Sequence, residues 1–250
     1  MKFENTVVFN FEGALRGMRM PLQSHSKSDS HYCLPNECVT CKYGNCQDAK
    51  NDPYNWETCT ENPDWQPYRI GENDMNLAQR LIKGGSVHAK FMRQIFVSVD
   101  ITAPLYWWKE MDTYKVSTVA NSTSTMHKLA STPITIDCFE TDDFDKEWFE
   151  QTGVEPIYDT WIENYINLLD ELRLRYLETK DKRYWKELIR WLPESWLQTR
   201  TWTANYEVLR NIYHWRRTHR LSEWQRFCTE FIETLPYAKE LILFNNTPET

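Results

Sequence analysis

A mixed α/β (α+β) fold with a helical C-terminal half is predicted by three features of the chain. Residues 91–101 alternate apolar and polar with a period of two, which is the pattern of a half-buried strand. Residues 157–234 carry apolar stripes at helical spacing. Gly and Pro are scarce and the aromatic share is 14%, with 12 Trp, a composition that excludes a disordered chain. At 250 residues the chain can bury a sizeable core, and it reads as a single domain, 1–250, with one insertion at 33–67.

In chain order, VVFNFEGALRG reads as a strand running into a turn, and the polar PLQSHSKSDSHY after it as loop. From Cys33 to Pro67 aliphatic residues almost vanish, so this insertion has no hydrophobic core of its own. ENDMNLAQRLIKGG predicts a helix capped by Asn73 or Asp74 and ended by Gly84 and Gly85. KFMRQIFVSVDI predicts a strand whose inward positions are Phe91, Ile95, Val97, Val99 and Ile101, with Arg93 the exception. TAPLYWWKEMDTYK then opens a helix at Thr102 and Pro104. The polar stretch 114–128, YKVSTVANSTSTMHK, follows as loop, and STPITIDCF reads as a further strand.

The second half reads as helix almost throughout. Trp161, Tyr165, Leu169, Leu172 and Tyr176 line one stripe of 157–179, and KRYWKELIRWL makes a short helix that stops at Pro193. ANYEVLRNIYHWRR places Tyr206, Leu209, Ile212 and Tyr213 on one face. Ser222 and Gln225 are spaced as a capping box for a last helix facing the core with Trp224, Phe227, Cys228 and Phe231.

A formal charge of -7 disfavours a protein that coats long nucleic acid through its phosphates, and leaves room for one small anionic ligand. No run approaches the roughly 20 apolar residues of a membrane span. The N-terminus lacks a signal-peptide pattern, so the expected location is cytoplasmic. Of the seven Cys, five fall between residues 33 and 59. Cys38 and Cys41 have the two-residue spacing that lets thiolates share a tetrahedral ion, with Cys33 and Cys46 or Cys59 near enough to complete the set. A structural Zn2+ would stabilise an insertion without a core; free thiols and an iron–sulfur cluster are the other readings.

The stretch 114–128 concentrates Ser117, Thr118, Asn121, Ser122, Thr123 and Ser124 between Lys115 on one side and His127 and Lys128 on the other. Hydroxyls and amides donate and cations neutralise, so these residue types suit a phosphate; they equally suit a solvated loop.

Two regions resemble a divergent member of the flavin-dependent thymidylate synthase (ThyX) family, in a phage-type or bacterial branch. Asn121 and Ser124 keep the Asn-to-Ser spacing of the family signature, and GGSVHAKF supplies His88 where the family carries a His after its first long helix. Downstream, Leu192, Pro193, Thr199 or Thr201, Asn205, Leu209 and Arg216 follow the family order, and SEWQRF resembles the Gln-Trp-Glu-Ile-Arg element, with Arg226 one residue out of register. Five positions depart from the pattern. Tyr114, Lys115 and Val116 stand at Arg-His-Arg, Met126 at the closing Arg, and Glu207 at an Arg beside the second Asn.

The resemblance implies a homotetramer in which FAD, a pyrimidine deoxynucleotide such as dUMP, and methylenetetrahydrofolate meet at subunit junctions. It implies cofactor contacts at His88, Lys115, Asn121, Asn205 and Arg216, and substrate contacts at Ser122, Ser124, His127, Lys128 and Arg226. No protein nucleophile is implied, because the flavin carries the chemistry. Each residue also has a plainer role open to it: His88 as a structural histidine, Trp107 and Trp108 as core, and Arg216 as a helix-end cation. A ThyX-fold protein that binds nucleotide without flavin is the alternative function. The cytoplasm would be that of a bacterial host if the chain is phage-encoded.

Overall fold

The structure is a computed structural model that describes residues 1–32, 68–124, 128–142, 145–153 and 155–245, with the side chains of 146 and 155–157 left aside. The expected insertion at 33–67, with Cys33, Cys38, Cys41 and Cys46, lies outside the described residues, as does His127.

Strand β1 (Lys2–Phe9) leads through Asn10, which sits in the left-handed region at φ 71°, into helix α1 (Phe11–Arg19). The expected turn is therefore a helix. Its two glycines argue against helix on propensity, and the ends of the Asn10 and Gln94 side chains lie over them. A Cβ at Gly13 would stand 2.2 Å from the Asn10 Oδ1, and one at Gly17 2.6 Å from the Gln94 Oε1. Two 3-10 turns, Met20–Leu22 and His25–Lys27, lead to β2 (His31–Tyr32), which pairs antiparallel with β3 (Tyr68–Arg69).

Helix α2 (Glu72–Lys83) ends at Gly84 as expected, but neither Asn73 nor Asp74 caps it. The cap comes from Asp29, whose carboxylate accepts from the Asn73 and Asp74 amides at 2.9 and 3.1 Å. Asp74 is buried instead. It receives the Arg19 Nε at 2.5 Å, the Ser28 hydroxyl at 2.6 Å and the Ser30 hydroxyl at 2.5 Å. Burial pushes this carboxyl up, and the three donors outweigh it, so its pKa lies below the ordinary Asp value.

A 3-10 turn at Lys90–Gln94 precedes β4 (Phe96–Pro104), whose alternate residues Val97, Val99, Ile101 and Ala103 are wholly buried. Helix α3 (Leu105–Met111) starts at Pro104 and buries Trp107, Trp108 and Met111. The polar stretch after it holds a strand, β5 (Val119–Ser122), where a loop was expected. The strand expected at 131–139 is replaced by 3-10 turns, Leu129–Ser131 and Ile136–Cys138, and by a single bridge from Phe139 to Trp196. Pro133 removes a ladder donor there.

Helices α4 (Lys146–Thr152), α5 (Glu155–Thr179) and α6 (Lys182–Arg190) follow. Strand β6 (Leu197–Asn205) then interrupts the expected helical half. Helix α7 (Tyr206–Arg216) buries the predicted Tyr206, Leu209, Ile212 and Tyr213. Helix α8 (Ser222–Arg226) runs on into a π turn at Phe227–Phe231 and buries Trp224, Phe227, Cys228 and Phe231. Its expected capping box does not form: Leu221 stands at the N-cap with no side-chain bond, and the Gln225 amide donates to the His219 carbonyl at 2.7 Å.

The main sheet has the order β1-β4-β6-β5. Successive side-chain pairs Ser98–Thr203, Asp100–Thr201 and Thr102–Thr199 show that β4 and β6 run antiparallel. The chain divides into two compact units. The first comprises Met1–Glu4, Asp100–Lys115 and Ala120–Trp202. In it Leu129, Ile134, Phe139, Leu169 and Leu188 form a small core flanked by Tyr165, Ile166 and Leu172. The second comprises Asn5–Val99, Val116–Val119 and Thr203–Thr250. There Phe11 meets Tyr206 and Tyr237 edge-on, and the Tyr237 hydroxyl accepts the Ile70 amide at 2.9 Å.

Candidate functional site

In the first unit a polar group of residues assembles around β5 and the facing part of β6. Asn121, Ser122 and Thr123 are exposed there. The Thr123 amide donates to the Thr199 carbonyl at 2.9 Å, and the Gln198 amide group donates to the Thr123 carbonyl at 3.1 Å. Beyond them Arg200 is a guanidinium held on three sides. Its Nε donates to Gln198 Oε1 at 2.9 Å, its Nη1 to Asp112 Oδ1 at 2.8 Å, and its plane lies 4.3 Å from the Trp108 ring centre. The Trp108 indole donates to the Gln198 carbonyl at 2.9 Å, which fixes the ring beneath the cation.

On the neighbouring pair of strands, the Thr102 and Thr199 hydroxyls meet at 2.7 Å and Thr201 donates to Asp100 at 2.5 Å. Lys115 and Lys128 are exposed, Ser124 is half-buried, and the Ser124 carbonyl accepts the Lys128 amide at 2.9 Å. Lys115, Asn121, Ser122, Ser124 and Lys128 thus all belong to one unit, and two of them lie on one strand. Asp112 could be read from the sequence as a pocket acid or as a solvated helix residue, whereas Arg200 and Gln198 are the members that sequence reasoning passed over. The signal for them was the alternation QTRTWTA, in which every second residue is Thr.

The second unit holds His88, Asn205, Arg216 and Arg226. His88 is exposed, in the turn that follows Gly84 and Gly85. Asn205 is buried, and its carbonyl oxygen accepts the Val208 amide at 3.0 Å, which makes it the N-cap of α7. Arg216 lies over the Trp224 ring at 4.7 Å, and Arg226 donates to Glu230 at 2.9 Å. Glu207, at the position where the family pattern has Arg, receives two donors of Arg93, one of them at 3.2 Å. Donation to the Glu207 carboxylate raises the Arg93 pKa above its ordinary value.

Burial pushes the Cys228 thiol up to about 12, and burial with the Glu233 hydrogen bond takes Tyr213 to about 12. Cys228 is therefore a packed thiol and not a nucleophile. Among the described residues no group of three or more His, Cys, Asp or Glu side chains could hold a metal ion, and no helix is long and apolar enough to cross a membrane.

No family model matches the chain, and no curated protein matches its sequence. Solved structures do match its fold. Flavin-dependent thymidylate synthase ThyX from Helicobacter pylori, complexed with FAD and dUMP, aligns with a TM-score of 0.51 at 14% identity, over 87% of this chain and 97% of that one. A second structure of the same Helicobacter pylori enzyme with FAD and dUMP aligns with a TM-score of 0.50 at 14% identity, over 86% and 95%. The fold is ThyX-like.

Proposed function

We propose that the chain is a ThyX-like flavin-dependent thymidylate synthase homologue of a phage-type or bacterial branch. It would catalyse the reductive methylation of dUMP or a related pyrimidine deoxynucleotide with methylenetetrahydrofolate. The observation that carries this reading is the near end-to-end match to a fold solved with FAD and dUMP. The donor chemistry of the first unit fits a nucleoside phosphate: an exposed amide and two hydroxyls on the β5 edge, with two exposed lysines. FAD, when bound and reduced, would supply the hydride. This chain's own residues would bind and orient. Lys115 and Lys128 would neutralise phosphate, Asn121 would hold a carbonyl or sugar oxygen, and Ser122 and Ser124 would donate to the nucleotide. His88, Asn205, Arg216, Arg226 and His127 complete the proposed contacts, in a homotetramer acting in the cytoplasm.

The test is the absorbance spectrum of the freshly purified protein, before and after incubation with FAD, followed by tritium release from labelled dUMP. Flavin bands with tritium release support the proposal. Protein that stays colourless and takes up no FAD, yet binds nucleotide by calorimetry, overturns it in favour of a ThyX-fold nucleotide-binding protein without redox chemistry. For the Cys-rich insertion we propose a structural Zn2+ on Cys33, Cys38, Cys41 and Cys46, supported by the spacing of the thiols. Metal analysis of anaerobically purified protein without near-stoichiometric zinc rejects it.

A further inference from the structure

The charge of this protein is concentrated in one place. Residues 140–163 contain nine Asp and Glu against the single Lys146, a net of -8, while the whole chain carries -7. The rest of the molecule is therefore close to neutral, and at least ten of its described acids pair with a cation. Asp74 pairs with Arg19, Asp170 with Arg173, Glu187 with Arg190, Glu194 with Lys109 and Glu230 with Arg226. Glu147, Glu150, Asp159 and Glu163 differ. All four are exposed, and none pairs with a cation among the described residues.

The same segment carries an unbroken run of aromatic rings. Trp148 meets Phe149 at 4.9 Å, Phe149 meets Tyr158 at 4.9 Å, Tyr158 meets Trp161 at 6.5 Å, and Trp161 stacks on Tyr165 at 5.5 Å with an interplanar angle of 11°. Trp161 is 58% exposed and Trp148 52%. Helix α5 buries its other side, Leu169 with Ile166 and Leu172, against the small core of its unit. It is thus apolar on two sides and covered on one. An apolar stripe left uncovered on a helix of this length marks a surface that meets something.

We propose that this aromatic ribbon docks a Lys- and Arg-rich segment of a partner polypeptide, with its cations over the Trp148 and Trp161 indoles and between the flanking carboxylates. Indole faces attract cations, the aliphatic stems of Lys and Arg cover apolar rings, and the unmatched carboxylates complete the charge balance. Nucleic acid would bring phosphates onto a surface of the same sign. A second copy would bring an equally acidic face, and two of this chain's basic groups near 214–220, Arg216 and Arg217, already lie over Trp224 and Tyr213. The inference is independent of the proposed flavin chemistry.

The test uses the full chain and a labelled short peptide alternating arginine and leucine, followed by fluorescence anisotropy. Saturable binding that weakens as salt is raised is expected, with no binding of the matching glutamate and leucine peptide. The double variant Trp148→Ala, Trp161→Ala should bind about tenfold more weakly, as loss of two exposed cation–π contacts implies. The variant Glu147→Gln, Glu150→Gln, Asp159→Asn, Glu163→Gln changes exposed side chains alone, and should lose the salt dependence along with most of the affinity. Failure of the wild-type chain to bind the basic peptide overturns the proposal. So does equal binding of the acidic peptide, or binding that the charge variant leaves intact. Tight binding of a single-stranded oligonucleotide that both variants abolish would reassign the ribbon to nucleic acid. Concentration-dependent self-association abolished by both would reassign it to a second copy.

Discussion

Replacing Asp74 by Ala should be among the most damaging single changes in the described chain. The carboxylate is fully buried and is the shared acceptor for Arg19, Ser28 and Ser30, and Arg19 is itself only 5% exposed. Its removal leaves a guanidinium in a low-dielectric site with no counter-charge, a loss of about 3–5 kcal/mol. Two hydroxyls also lose their acceptor. Against a total stability of about 5–15 kcal/mol, that is a large fraction. Urea unfolding at pH 7 should show a lowered midpoint with an unchanged slope. The pH dependence follows from the depressed pKa. The contribution is fully present above the unfolded Asp value of about 3.9 and is lost as pH falls through the lower folded value. Wild type should therefore lose stability below about pH 4 more steeply than the Asp74→Ala variant does. A variant within about 1 kcal/mol of wild type at pH 7 would refute the reasoning, because it would mean that Arg19 finds water or another acceptor without cost.

Three further changes test other parts of the structure. Asn205→Ala removes the N-cap of α7 and should cost about 1 kcal/mol in chemical denaturation, whereas Asn205→Asp should retain most of it. Arg200→Ala removes the cation over Trp108 and the donor to Gln198, and should destabilise by about 1–2 kcal/mol in chemical denaturation. Cys228, with its thiol raised to about 12, should stay unlabelled by iodoacetamide at pH 8 in the native protein and become labelled in urea, as read by peptide mass mapping.

The elements that could be read from the sequence were those whose buried face is plainly apolar. Strand β4 shows its period of two in Val97, Val99 and Ile101, and α7 shows its stripe in Tyr206, Leu209, Ile212 and Tyr213. Strand β6 escaped because it lies in a sheet yet offers Thr on one face, and Gln198 and Arg200 beside Trp202 and Ala204 on the other. Its alternation is polar against mixed, so no hydrophobic period marks it. Helix α1 was hidden by its two glycines, and the cap of α2 by the fact that its acceptor, Asp29, is remote in sequence. At the candidate site the same rule holds. The exposed Asn121 and Ser122 were visible as composition, but the strand that carries them was not, because Val119–Ser122 has no buried face to pattern.

Glu207 shows why a motif comparison and a spatial one reach different answers about charge. Read along the chain, Glu207 stands where the resembled family has an Arg, so the chain places no cation at that position. In space Arg93, on the turn before β4, donates to both oxygens of that acid. A guanidinium therefore does stand at the start of α7, delivered from another segment and neutralised by Glu207. The net charge of that corner is zero, where the pattern would make it positive. Any phosphate bound there would have to compete with Glu207 for Arg93. Lys115, Lys128 and the Trp108-backed Arg200 are in the first unit, and Lys115 and Lys128 carry no carboxylate partner among the described residues. If this fold grips an anion, the cations of the first unit without a carboxylate partner among the described residues are Lys115, which does fall at the family's Arg-His-Arg position, and Lys128, which lies outside that signature.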